Sequence, residues 1–420
     1  MRRILRRLLL ALGGLLAVLC ALVLWLDRPR APQAGSDAPA TSPDAVARGA
    51  YLARAGNCAA CHTARGGAPF AGGVPIDTPF GVVYGSNLTP DPETGLGRWS
   101  AADFRRAMHD GRSRDGRRLY PAFPYPNFTR IPPADADALF AYLRSLAPVR
   151  QPNRAHAVRF PYDTQPALAV WRALFFRPGR EPPDPARAPE WNRGRDLVHG
   201  LGHCDACHAP RNVLGATSRA LELGGGLIPM QKWYAPSLAA SHEAGVAGWP
   251  VDEVVALLKT GVAPRGSVQG PMAEVVFRSL QHLSDGDLRA MASYLQSLSS
   301  APPEPHDPIV RERSQMARGA ELYETHCAGC HGKQGEGAPG AYPALAGNRG
   351  VTLGTPTNLV RVLVHGGYLP ANAGNPRPFG MPPFGHVLDD ADMAALLTYL
   401  RGAWGNDAQP VWPVDVLRWR

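Results

Sequence analysis

Cys58-Ala59-Ala60-Cys61-His62 is a pattern that the chain carries three times, the other copies being Cys204-Asp205-Ala206-Cys207-His208 and Cys327-Ala328-Gly329-Cys330-His331. Cys-x-x-Cys-His reads as a covalent attachment site for c-type haem. The two thiols reach the two vinyl groups of one porphyrin, and the adjoining imidazole reaches the iron as proximal ligand. Two other chemistries also use Cys-x-x-Cys. A redox-active pair has no need of a His immediately after the second Cys. A zinc site needs four ligands, from a chain with only one Cys outside the three motifs. The sequence therefore predicts three covalently bound haems c. Their attachment residues are Cys58, Cys61, Cys204, Cys207, Cys327 and Cys330, and their proximal iron ligands are His62, His208 and His331.

At 420 residues the chain is long enough for about three domains. The seventh cysteine, Cys20, lies in the apolar N-terminus, so no structural disulfide is expected. The net charge of +9 is spread as single arginines, four of them before residue 8. A nucleic-acid partner would want a basic stripe with interleaved aromatics, and the sequence has none. No phosphate-cradling loop, dinucleotide fingerprint or Ser-His-Asp set suggests substrate chemistry on this chain.

Residues 1–30 hold an uncharged run from Leu8 to Leu26, between Met1-Arg2-Arg3-Ile4-Leu5-Arg6-Arg7 and Asp27-Arg28-Pro29-Arg30. Nineteen helical residues span about 28 Å, close to one bilayer core. A cleaved signal peptide has a shorter apolar region and a small-x-small site soon after it. Here the run ends in bulky Trp25-Leu26, and the nearest such site, Ala38-Pro39-Ala40, is far downstream. We expect an uncleaved inner-membrane anchor with its arginines in the cytoplasm and the haem domains in the periplasm. A soluble periplasmic carrier, produced by cleavage, is the alternative. Residues 31–46, rich in Ala, Pro, Ser and Asp, read as a flexible tether.

Past the tether the chain repeats itself. Each unit opens with Arg-Gly-x-x-Leu, at Arg48, Arg193 and Arg318, with the haem motif 8 to 10 residues after the glycine. Each closes with Asp, six residues and Tyr-Leu, at Asp135, Asp287 and Asp392. Both flanks carry apolar residues at helical spacing, for example Leu288, Met291, Ala292 and Leu295. A first helix bearing the haem motif and a last helix crossing it is the skeleton of a class I cytochrome c. The expected fold is all-α, with three tandem domains over 47–146, 191–298 and 309–405, after the transmembrane anchor. Residues 147–190 form a linker containing a short apolar helix. We expect that helix to pack on its neighbouring domain, or to dock on a partner or the bilayer. Residues 299–308 form a stiff proline-rich linker, and 406–420 a tail without periodicity.

An iron that shuttles electrons with little rearrangement needs a sixth ligand, commonly the soft thioether of Met. Met272, in Gly270-Pro271-Met272-Ala273, and Met381, in Phe379-Gly380-Met381-Pro382-Pro383, are the expected ligands of the second and third haems. Met291 and Met393 lie on the closing helices and read as core. The first unit has Phe123 in Tyr120-Pro121-Ala122-Phe123-Pro124-Tyr125, where Met is expected. Phe has no lone pair for iron. The first haem is therefore expected to be five-coordinate and open to a small ligand, or else ligated by Met108 or His109.

In this order, the units resemble the tri-haem cytochrome c subunits of bacterial membrane-bound dehydrogenases. The resemblance runs from about Ala47 to Asn406. It is carried by Tyr51–Thr63, Asn87–Gly97, Gly270–Val276 and Tyr342–Asn348. It implies a catalytic dehydrogenase partner of molybdenum, flavin or quinoprotein type, and ubiquinone or a terminal oxidase as acceptor. Phe123 departs from the alcohol dehydrogenase type, which carries Met in that loop. With the N-terminal anchor, this tilts the expectation toward a molybdenum-type partner.

Overall fold

The computed structural model of the chain describes residues 1–29, 42–298 and 309–420. Most of the expected tether and the whole proline-rich linker 299–308 lie outside the described residues. The chain forms two compact units, Met1–Ala53 with Cys58–Pro182, and Arg54–Asn57 with Pro183–Arg420.

In the first unit, helix α1 spans Arg2–Leu26 and has no buried residue. Among the described residues it is the one helix long and apolar enough to cross a bilayer. Helix α2 (Pro43–Ala55) begins inside the stretch expected to be tether, because Ser42 Oγ accepts the Ala45 N–H at 3.2 Å and starts the helix. Strands β1 (Pro75–Thr78) and β2 (Gly81–Tyr84) form an antiparallel ribbon. Helix α3 (Ala101–Asp110) starts on a Ser100/Asp103 capping box, and α4 (Pro133–Ser145) closes the unit's helical frame.

The segment after α4 is no free linker. Asn87 Nδ2 donates to the Val149 carbonyl at 2.8 Å, and β3 (Ala157–Val158) adds to the ribbon opposite Gly81 and Val82. Helix α5 (Gln165–Phe175), the expected apolar helix, follows within the same unit and packs against α1.

The second unit opens with α6 (Pro189–Asp196) and a ribbon of β4 (Gly226–Ile228) and β5 (Trp233–Ala235). Helices α7 (Val251–Thr260), α8 (Pro271–Arg278) and α9 (Asp285–Gln296) follow. Next come α10 (Arg313–His326), α11 (Thr357–His365) and α12 (Asp390–Gly402). The unassigned tail also folds, as α13 (Pro413–Trp419). Its Val411 and Val416 are fully buried in the core around Leu322, Met393, Leu396 and Leu397, and the Val411 N–H donates to Thr398 Oγ1 at 2.9 Å. The all-α expectation is thus corrected to a helical frame with short β-ribbons. The ribbon segments are too brief to show a strand period in sequence.

The two repeated signatures meet in space three times. Arg48 pairs with Asp135, Arg193 with Asp287 at 2.8 Å, and Arg318 with Asp392 at 2.8 Å. Each Asp sits in the first turn of its closing helix, where the helix dipole favours a carboxylate. The neighbouring glycine explains the rest of the signature. A Cβ on Gly49, Gly194 or Gly319 would overlap the carbonyl oxygen of Ala138, Ala290 or Ala395, and would also press on Tyr142, Tyr294 or Tyr399. Only a residue without a side chain lets the crossing backbones come this close. Met291 and Met393 are buried core residues, as expected.

Candidate functional site

Each motif forms a short helical turn directly after its opening helix. Glycine-to-cysteine spacings of nine, ten and eight residues are accommodated differently. The shortest, in the third copy, runs as continuous helix α10 into Cys327. In the first, Asn57 adopts a left-handed φ of 49°. In the second, a π-helical turn over Leu197–Leu201 takes up the surplus, with the Gly202 N–H donating to Leu197 O at 2.8 Å.

The proximal geometry is common to all three copies. His62 Nδ1 lies 2.7 Å from Ser86 O, His208 Nδ1 2.7 Å from Pro236 O, and His331 Nδ1 3.0 Å from Pro343 O. A carbonyl only accepts, so Nδ1 carries the proton and Nε2 keeps its lone pair. A metal-bound imidazole needs that tautomer and that orientation. Burial also holds all three imidazoles below their ordinary pKa, which keeps them neutral.

The first thiol of each motif lacks the activation of a redox-active pair. Burial, with the second thiol nearby, pushes Cys58 up to about 12 and Cys327 up to about 11. Burial beside Asp205 pushes Cys204 up to about 12. A redox-active Cys-x-x-Cys needs the opposite shift. His199 stands next to the second copy, its Nε2 2.6 Å from Tyr294 Oη and its Nδ1 3.2 Å from Asp205, which joins the motif to α9.

Phe123, Met272 and Met381 are all half-buried. Met272 lies in the first turn of α8, and Met381 in a two-residue strand paired with Gly367. Phe123 packs on Phe128, with ring centroids 5.4 Å apart.

The cytochrome c family model matches residues 46–147 and 316–404, which hold the first and third motifs. The chain is 38% identical over 390 residues to the cytochrome c subunit of alcohol dehydrogenase (quinone) from Komagataeibacter europaeus, covering 88% of this chain and 83% of that one. It belongs to the cytochrome c subunits of dehydrogenases. This cytochrome c is also 38% identical over 389 residues to the gluconate 2-dehydrogenase cytochrome c subunit of Pantoea cypripedii, covering 87% and 86%. Identity to a nicotinate dehydrogenase subunit of Pseudomonas putida is 45% over 373 residues, which is 87% of this chain but only 31% of that protein.

Within this cytochrome c, the two alternative first-site ligands occupy different surroundings. Met108 is buried on α3. His109 is buried beside Arg105 and Asp137, and its pKa is lowered to about 4 by desolvation and by the Arg105 charge. The three carbonyl acceptors were not picked out from sequence. Each stands two residues before a leucine, Leu88, Leu238 or Leu345, whose N–H donates to Phe70 O, Leu223 O or Gly335 O. Separations of 24, 28 and 12 residues from the histidines hide this common pattern.

Proposed function

We propose that the chain is a membrane-anchored electron conduit holding three haems c, one per motif. The observation that supports this most directly is the repeated bond from a motif histidine to a loop carbonyl. In this reading Cys58 and Cys61, Cys204 and Cys207, and Cys327 and Cys330 bind the porphyrins. His62, His208 and His331 hold the irons from the proximal side, and Met272 and Met381 supply thioethers on the second and third distal sides. Bound haem supplies a one-electron couple at iron. The chain's own residues fix the imidazole tautomer, exclude water with the crossing helices and keep the ligand geometry rigid.

The frame pairs Arg48–Asp135, Arg193–Asp287 and Arg318–Asp392 support three cytochrome c domains over 47–146, 191–298 and 309–405. By likeness to the dehydrogenase cytochromes, electrons arrive from a catalytic dehydrogenase subunit and leave to ubiquinone or a terminal oxidase. We place α1 in the inner membrane and the haem domains in the periplasm. Phe123 in place of a loop Met, together with the N-terminal anchor, favours the molybdenum-type partner. Purification in mild detergent, with mass spectrometry of the haem-loaded chain and of its co-purifying large subunit, tests the reading. Three covalent haems and a bound dehydrogenase are expected. Two haems, or a chain recovered alone from native membranes, would overturn it.

A further inference from the structure

Asp27 follows the apolar helix α1 directly, yet it is only 3% exposed. Arg172 Nε of α5 and Arg118 Nε each lie 2.5 Å from its carboxylate, and Arg112 Nη2 lies 3.0 Å from it. Asp110 completes the cluster, 3.1 Å from Arg172 Nη2 and 3.2 Å from Arg112 Nε. The Arg172 guanidinium also stacks over Phe176 at 4.7 Å and Tyr125 at 5.3 Å. Without Asp27, Asp110 would be the one carboxylate in salt-bridge reach of Arg112 and Arg172 among the described residues, and unmatched buried charge is strongly destabilising. The end of α1 is therefore built into the first unit and fixes where α5 stands.

Helix α5 buries Leu168, Ala169, Arg172 and Ala173. Its opposite stripe carries Val170, 44% exposed, and Leu174, 54% exposed, flanked by half-buried Trp171 and Phe175. The loop before it exposes Phe160 at 81%. A helix with an apolar outer stripe and aromatic flanks suits the boundary between headgroups and acyl chains. We propose that the Val170–Leu174 face of α5 is a second membrane contact, held on the bilayer by the Asp27 cluster. The proposal rests on α1 being a retained membrane anchor. The occupant follows from continuity: α1 leaves the bilayer at Leu26, and the next residue is bonded to α5. The first haem unit is thus docked on the membrane surface by two elements at once.

The test uses the full haem-loaded chain carrying Cys20→Ser, which leaves no thiol outside the haem motifs. Val170→Cys or Leu174→Cys is added, with Val213→Cys, 92% exposed, as the water-facing control. Each variant is placed, without dehydrogenase, in nanodiscs of phosphatidylcholine and phosphatidylglycerol and treated with a membrane-impermeant maleimide. Labelling at 170 and 174 should be at least about tenfold slower than at 213. Equal rates would overturn the proposal. So would protection seen only in native membranes with the dehydrogenase present, which would assign the face to a protein. Adding Asp27→Asn should bring labelling at 174 up to the control rate, and unchanged protection would remove Asp27 from the account. N-terminal sequencing of the same samples separates these outcomes from failure of the anchor reading, because a processed chain lacks Asp27 itself.

Discussion

The side chain of Asn358 holds the backbone of Tyr234 in both directions. Its Oδ1 accepts the Tyr234 N–H at 2.9 Å and its Nδ2 donates to the Tyr234 carbonyl at 2.8 Å. Tyr234 lies two residues before Pro236, the acceptor for His208. Asn358 lies on α11, where the Leu363 carbonyl accepts the N–H of Phe384, three residues past Met381. One amide thus ties the loop that holds the His208 acceptor to the helix that holds the loop of Met381. Asn358→Ala strips both Tyr234 groups of their partner at a position only 7% exposed. Each orphaned group costs about 1–3 kcal/mol. Urea unfolding followed at the haem band should show a clear loss of stability, and an unchanged midpoint would contradict this role.

Met272→Ala and Met381→Ala should each leave every covalent haem in place and remove one Met–iron charge-transfer band. The potential of that haem should fall as well, because a thioether favours ferrous iron. An unaltered near-infrared spectrum would exclude that methionine as a ligand.

Phe123→Met tests the first site. The wild-type protein should contain one haem that is high-spin or weakly ligated, and the substitution should convert it to a low-spin His/Met centre of higher potential. Electron paramagnetic resonance of the full chain, before and after the change, decides the matter. A wild-type chain that is already wholly low-spin would redirect attention to Met108 and His109.

His109 predicts an acid-sensitive first unit. Its folded pKa of about 4 lies below the ordinary histidine value, so between about pH 6.5 and 4 the unfolded chain binds a proton that the folded chain refuses. Stability should therefore fall as the pH drops through that window, by an amount on the order of 3 kcal/mol at pH 4. His109→Leu should flatten the dependence. An equal pH slope in the two proteins, measured by denaturant unfolding, would rule out this source.

The haem motifs were readable because they are local in sequence, and the helical frame because its flanking signatures recur three times. Arg48, Gly49 and Asp135 announce a helix crossing through repetition, and the structure supplies the reason as a salt bridge and a backbone contact. What stayed hidden depends on long separations or on short elements. Pro343 lies 12 residues after its histidine and Ser86 lies 24 after its own, so no fixed spacing marks the carbonyls. Ribbon segments of two to four residues have no room for alternation. Asp27 reads as an ordinary polar flank to an apolar run, and its burial becomes visible only when Arg112 and Arg118 of one loop and Arg172 of α5 are brought together around it.

The carbonyl behind each motif histidine is a neutral dipole in all three sites, never a carboxylate that would draw the proton away and enrich the imidazole. On the proposed reading, all three proximal imidazoles would be oriented alike, while His208 alone also feels the nearby Asp205 and Glu243 carboxylates. An ordering of potentials would then be written by Phe123, Met272 and Met381 on the opposite faces and by the carboxylates near His208. Such a chain would be a relay with similarly hung imidazoles and individually tuned steps. One distal substitution can reset the gradient for a new electron donor while the scaffold beneath it stays as it is.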